Sequence, residues 1–113
     1  MPDCIFCKII NKEIPADIIF ANENLVAFKD IHPKAPVHIL LVPKKHLVSL
    51  NDLSEEDKVI MGDIVYQAKL LAKAQGIAET GYRLLTNTGP NSGQEVQHLH
   101  FHLLGGKPLA SIG

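Results

Sequence analysis

A chain of 113 residues is the size of one domain, and 46% hydrophobic with 20% charged residues supplies both a core and a solvated surface. Eleven Lys and Arg against twelve Asp and Glu leave a net charge of −1, which excludes the basic footprint of a nucleic-acid binder. No apolar run approaches the roughly 20 residues of a membrane span, and no secretory signal opens the chain, so a cytoplasmic protein without membrane partners is expected. Arg83 is the one arginine. A bound phosphate would therefore be held by imidazoles, amides and backbone N–H groups rather than by guanidinium forks.

In chain order, Asp3 is expected to cap a short helix over residues 4–12, with Ile5, Phe6 and Ile9 on its buried side and Ile14-Pro15 ending it. The two cysteines of this segment, Cys4 and Cys7, have C-x-x-C spacing. In a reducing compartment that spacing points to half of a metal site or a redox pair rather than a structural disulfide. Strands are predicted over 18–20 and 25–30, joined by the turn Asn22-Glu23-Asn24. Pro33 and Pro36 then interrupt the pattern. Residues 37–42 are nearly all apolar, which predicts a central strand buried on both faces with His38 inside it. Ser54-Glu55-Glu56-Asp57 reads as a capping box opening a helix of about 22 residues. Met61, Ile64, Val65, Ala68, Leu71 and Ala72 would face its core, and Gly76 would stop it. A strand over 81–87, a turn-rich connection over 88–93 and a last strand over 98–104, ended by Gly105-Gly106, complete the chain. The pattern is α+β with an antiparallel sheet, in a single domain over residues 1–113.

The last strand carries the chemistry. In His98-Leu99-His100-Phe101-His102-Leu103-Leu104, strand geometry would line the three imidazoles on one face and Leu99, Phe101 and Leu103 on the other. Near pH 7, neutral imidazole offers a basic, nucleophilic nitrogen and a second nitrogen that donates. One chemistry open to such a face is a three-histidine catalytic metal, although the strand holds no carboxylate to orient the ligands. The other is attack of the central imidazole on phosphorus while its neighbours donate to the non-bridging oxygens. Gly89, Ser92 and Gly93 could add backbone N–H groups for an anion.

The histidine stretch matches the His-x-His-x-His-x-x signature of the histidine-triad (HIT) family. Ile5-Phe6-Cys7-Lys8-Ile9-Ile10, Lys12-Glu13-Ile14-Pro15, Ala27-Phe28-Lys29-Asp30-Ile31, Ala35-Pro36-Val37-His38, Val42-Pro43-Lys44-Lys45-His46 and Gly93-Gln94 follow in the order of its purine-nucleotide phosphoramidase branch. The chain thus resembles that branch over nearly its whole length. The resemblance implies a five-stranded antiparallel sheet with one short N-terminal helix and one long helix, in a homodimer whose two sheets join. It implies a hydrolase or transferase that cleaves a phosphorus–nitrogen or related activated bond at the α-phosphate of a purine nucleotide. His100 would become the nucleotidyl-histidine, His102 would contact the phosphate and assist the leaving group, and His38 would stand beside them. Asn87, Gly93, Gln94, Glu95 and Val96 match phosphate-side contacts, Asp30 the acid that accepts from the ribose, and Phe6, Ile9, Phe28 and Ile31 the base-binding wall. In members that share the cysteine pair, Cys4, Cys7, His46 and His98 would hold a structural zinc, and no organic cofactor is expected. Dinucleoside polyphosphate hydrolysis and regulatory nucleotide binding stay open as alternative functions. Two departures stand out. Glu95 replaces the serine of many relatives near the leaving group, and the tail Ser111-Ile112-Gly113 lacks an aromatic.

Overall fold

Strand β3 (Val37–Pro43) has no face to show to water, and it occupies the centre of the sheet. The computed structural model describes residues 4–112. It places β3 in a five-stranded antiparallel sheet of order β1-β2-β3-β5-β4, with β1 at Ile18–Ala21, β2 at Leu25–Lys29, β4 at Tyr82–Leu85 and β5 at Phe101–Gly105. Helix α1 (Ile5–Ile10) precedes the sheet in the chain, and helix α2 (Lys58–Ala74) lies between β3 and β4. The expected α+β architecture is the one observed.

Alternation divides the core in two. Leu25, Ala27, Ile39, Leu41 and Leu103 pack with Ile64, Ala68, Leu71 and Ala72 of α2. Val26, Phe28, Leu40 and Val42, one residue out of phase, pack with Phe6 and Ile9 of α1. His38, two residues before Leu40, belongs by the same alternation to the α1 face. Leu40 is opposite His102 in the β3–β5 register, which places both histidines on that face.

Several boundaries differ from expectation. Asp3 lies outside the described residues, and the α1 N-cap is Cys4, whose Sγ accepts from the Cys7 N–H at 3.4 Å. The helix ends at Ile10 because Lys12 adopts φ +61°. Lys12 N–H then donates to the Ile9 carbonyl and Glu13 N–H to the Lys8 carbonyl, a Schellman ending with lysine in glycine's usual place. Ile5 is 48% exposed rather than buried. The Ser54 box is present, with Asp57 Oδ2 accepting from Ser54 N–H, but Glu55–Asp57 is a 3₁₀ turn and α2 proper has 17 residues. Val65, placed in the core from its spacing, is 56% exposed. Gly76, at φ +75°, follows the α2 C-cap as expected.

The largest difference concerns the histidine strand. β5 begins at Phe101, so His98 and His100 precede it and, among the described residues, have no ladder partners. Their segment is drawn toward the chain after β3 instead. Leu99 N–H donates to the Leu47 carbonyl at 2.6 Å, and His98 Nε2 donates to the Pro43 carbonyl at 2.8 Å.

Candidate active site

A cavity of about 650 Å³ opens on the α1 face of the sheet, within the usual range for small-ligand pockets. Phe6, Ile9, Phe28, Ile31 and Val96 give it apolar walls; Asp30, His38, Asn87, Gly93, Glu95, His100 and His102 give it polar ones. Ile31 is 83% exposed, at the rim. Gly93 holds φ +83° at the end of the 3₁₀ turn Pro90–Ser92, a backbone state that favours glycine. Gln94, expected among the phosphate contacts, does not line the cavity. Its amide is spent on the loop, accepting from Gly89 N–H at 2.9 Å and donating to the Val48 and Val96 carbonyls. Residues not anticipated here include Ile14, Pro15, Ala16, His32, Lys34 and Leu40. Ile14-Pro15 reads in the sequence as a helix stop and as part of a family motif segment, and its place on the cavity wall depends on where that stop sits in space.

Hydrogen bonds determine the protonation of each imidazole. Lys34 N–H donates to His38 Nδ1 at 3.0 Å, so neutral His38 carries its proton on Nε2. That proton faces His102 Nδ1 at 2.9 Å, which leaves His102 with an Nε2–H. Burial pushes His38 below the ordinary histidine value, against an upward pull from Asp30. Burial, then the neighbouring His100 and His38, lowers His102 to about 4. Both rings are neutral at pH 7. His100 is buried, and its Nδ1–H donates to the His98 carbonyl at 2.7 Å, leaving a lone pair on Nε2. Thr86 Oγ1 donates to the His100 carbonyl at 2.7 Å, and the Phe6 ring lies edge-on to the imidazole at 5.0 Å. A nucleophilic nitrogen and a donor N–H thus come from neighbouring rings whose centroids are 5.0 Å apart. Asp30 Oδ1 accepts from His32 N–H at 2.8 Å, and Oδ2 lies 3.5 Å from His38 Nε2.

The third triad histidine turns elsewhere. His98 Nε2 is committed to Pro43, so its Nδ1 lone pair faces Cys4 Sγ at 3.4 Å and Cys7 Sγ at 3.6 Å. His46 Nδ1 lies 3.3 Å from Cys7 Sγ. One donor atom from each of Cys4, Cys7, His46 and His98 lies within 4.8 Å of all the others, two sulfurs and two imidazole nitrogens at a spacing that suits a tetrahedral ion. Among the described residues, His98, His100 and His102 do not converge as a three-histidine metal set, because His98 faces the thiols while His100 and His102 line the cavity.

The HIT domain family model matches residues 11–109. The chain belongs to the HIT family. It is 48% identical over 110 residues to the purine nucleoside phosphoramidase of Escherichia coli (strain K12), covering 97% of this chain and 92% of that protein. It is also 47% identical over 107 residues to the adenylylsulfatase HINT1 of Arabidopsis thaliana, covering 93% and 72% respectively. The structure of a HIT family hydrolase from Clostridium thermocellum superposes with a TM-score of 0.95 at 46% identity, covering 99% of this chain and 97% of the other. HIT membership accounts for the motif order read from the sequence.

Proposed function

We propose that this HIT protein hydrolyses the phosphorus–nitrogen bond of purine nucleoside phosphoramidates through a covalent nucleotidyl-His100. One observation carries the reading: the His98 carbonyl holds His100 Nδ1–H, which frees Nε2 toward a cavity that His102 also lines. The Nε2 lone pair attacks the α-phosphorus and forms a P–N bond as the bond to the leaving amine breaks. His102 Nε2–H stabilises charge developing on a phosphate oxygen and the departing nitrogen. Water then attacks phosphorus and the bond to His100 breaks. In net, water supplies a hydroxyl to phosphorus and a proton to the amine. Phe6, Ile9, Phe28 and Ile31 would hold the base, Asn87, Gly93, Glu95 and Val96 would flank the phosphate side, and Asp30 would accept from the ribose. The similarity to a phosphoramidase supports the substrate class.

Cys4, Cys7, His46 and His98 would hold a structural zinc, which when bound ties the start of α1 to the chain on either side of the site. A reducing cytoplasm would keep both thiols available to it. A homodimer is supported by the outer edge of β4, unpaired among the described residues, and by the exposed row Val59, Tyr66 and Leu70 on α2.

The test is a rapid quench with adenosine phosphoramidate followed by peptide mapping. An adenylyl group on His100, acid-labile and alkali-stable, is expected. An adduct on another residue, or binding with negligible turnover, would count against the proposal. Faster turnover of a diadenosine polyphosphate would favour a polyphosphate hydrolase.

A further inference from the structure

His100 stands outside the sheet ladder, so no strand hydrogen bonds hold it against the cavity. Three contacts hold it to the cysteine cluster instead. The first is its Nδ1–H bond to the His98 carbonyl at 2.7 Å. The second is Phe6, between the two cysteines, edge-on to both the His98 ring at 6.0 Å and the His100 ring at 5.0 Å. The third is the Leu99 N–H bond to the Leu47 carbonyl, which fastens this segment beside His46. His98 is fully buried and engaged at both nitrogens, Nε2 by Pro43 and Nδ1 by the thiols. Its backbone carbonyl, the group that selects the His100 tautomer, therefore inherits the rigidity of the cluster.

We infer that the Cys4–Cys7–His46–His98 cluster is a positioning device for the nucleophile. The inference rests on the reading of His100 as nucleophile, and it assigns the cluster a role beyond holding the fold together. If the four donors no longer close around one point, the His98 ring loses its Nδ1 partners and is held only by its Nε2–H bond to Pro43. The carbonyl that orients His100 is then fixed only through the Leu99 N–H bond of the same peptide unit to Leu47. Its direction loosens, and His100 samples the tautomer with the proton on Nε2, which cannot attack. The apolar walls at Ile9 and Phe28 remain. The loss therefore falls on the chemical step more than on binding.

The experiment compares wild type with Cys4→Ser/Cys7→Ser, measuring kcat and KM for adenosine phosphoramidate, AMP affinity by calorimetry, zinc content, and the imidazole ¹⁵N signals of His100. In the double variant zinc should be lost and kcat should fall about tenfold or more, since small misplacements of reacting groups are costly. KM and AMP affinity should stay within about twofold. The His100 signals should move from one Nδ1–H tautomer toward a mixture. His46→Cys, which preserves four donors, should keep the wild-type tautomer and kcat, and His46→Ala should not. An unchanged kcat, or a lowered kcat with an unchanged tautomer, overturns the inference. Should the double variant not fold, equal kcat in His46→Cys and His46→Ala overturns it. Absence of an adenylyl-His100 adduct in the wild type would overturn the underlying reading instead.

Discussion

His100 and His102 share a side chain and differ in what their Nδ1 atoms touch, a carbonyl in one case and a donor N–H in the other. That difference leaves a lone pair on Nε2 of one ring and an N–H on Nε2 of the other, and the proposed roles of nucleophile and donor rest on it. His100→Asn should therefore keep nucleotide binding and lose several orders of magnitude in turnover, as steady-state and single-turnover assays would register. His102→Asn should lose about 10²–10³-fold, the usual contribution of one charge-stabilising donor. Asp30 is anchored through Oδ1 to His32 N–H, and its Oδ2, 3.5 Å from His38 Nε2, faces the cavity side on which the proposal places the ribose. Asp30→Ala should weaken AMP binding by about 1–3 kcal/mol in calorimetry, and 2′-deoxy-AMP should lose less. Equal losses for both sugars would remove the ribose role. The residue types at these positions were legible in the sequence. The tautomers were not, because they depend on Lys34, Pro43 and the His98 carbonyl, none of which any spacing rule connects to an imidazole.

At the scale of elements, the structure departs from expectation where backbone geometry overrides composition. Lys12 adopts a left-handed conformation that the reading of α1 through residue 12 did not foresee. Lys12→Gly should relieve the strain and stabilise the fold by about 1 kcal/mol, measured as a raised denaturant midpoint at unchanged m-value. Gly106 combines φ +92° with a close approach, since a Cβ there would come within 2.9 Å of Pro36 Cβ. Gly106→Ala should destabilise by about 1–3 kcal/mol, and a midpoint equal to wild type would show that Pro36 gives way freely. β5 starts three residues later than the alternation of His98 to Leu104 predicts. Alternation reports which side a residue faces, and it does so whether or not a neighbouring strand supplies hydrogen bonds.

For the whole molecule, burial of neutral histidines couples stability to pH. His38 and His102 both lie below their ordinary value near 6.5 in the folded state, His102 at about 4. Between those limits the unfolded chain binds more protons, so stability is complete above about pH 6.5 and declines as pH falls toward 4. The carboxylates of Asp57, held low by Lys45, and Asp63, held low by Asn24 and Asn22, contribute a separate loss below about 4. Thermal midpoints measured from pH 7.5 to 3 should fall in both ranges, and His102→Asn should reduce the first decline, leaving the His38 share of it, without changing the second. Light scattering at micromolar concentration should return twice the chain mass if β4 and α2 form the proposed dimer face, and a monomer would count against it.

The order of elements, the two-sided burial of β3, the antiparallel sheet and the motif order of the HIT family could be read from the chain, because period, turn chemistry and motif order are local properties. Which histidine faces which partner could not. His98, His100 and His102 have identical spacing and identical side chains, yet one faces two thiols from α1 and the others line the cavity. That sorting is made by Pro43, Leu47, Cys4 and Cys7, residues distant along the chain that only folding brings within hydrogen-bond reach of the triad.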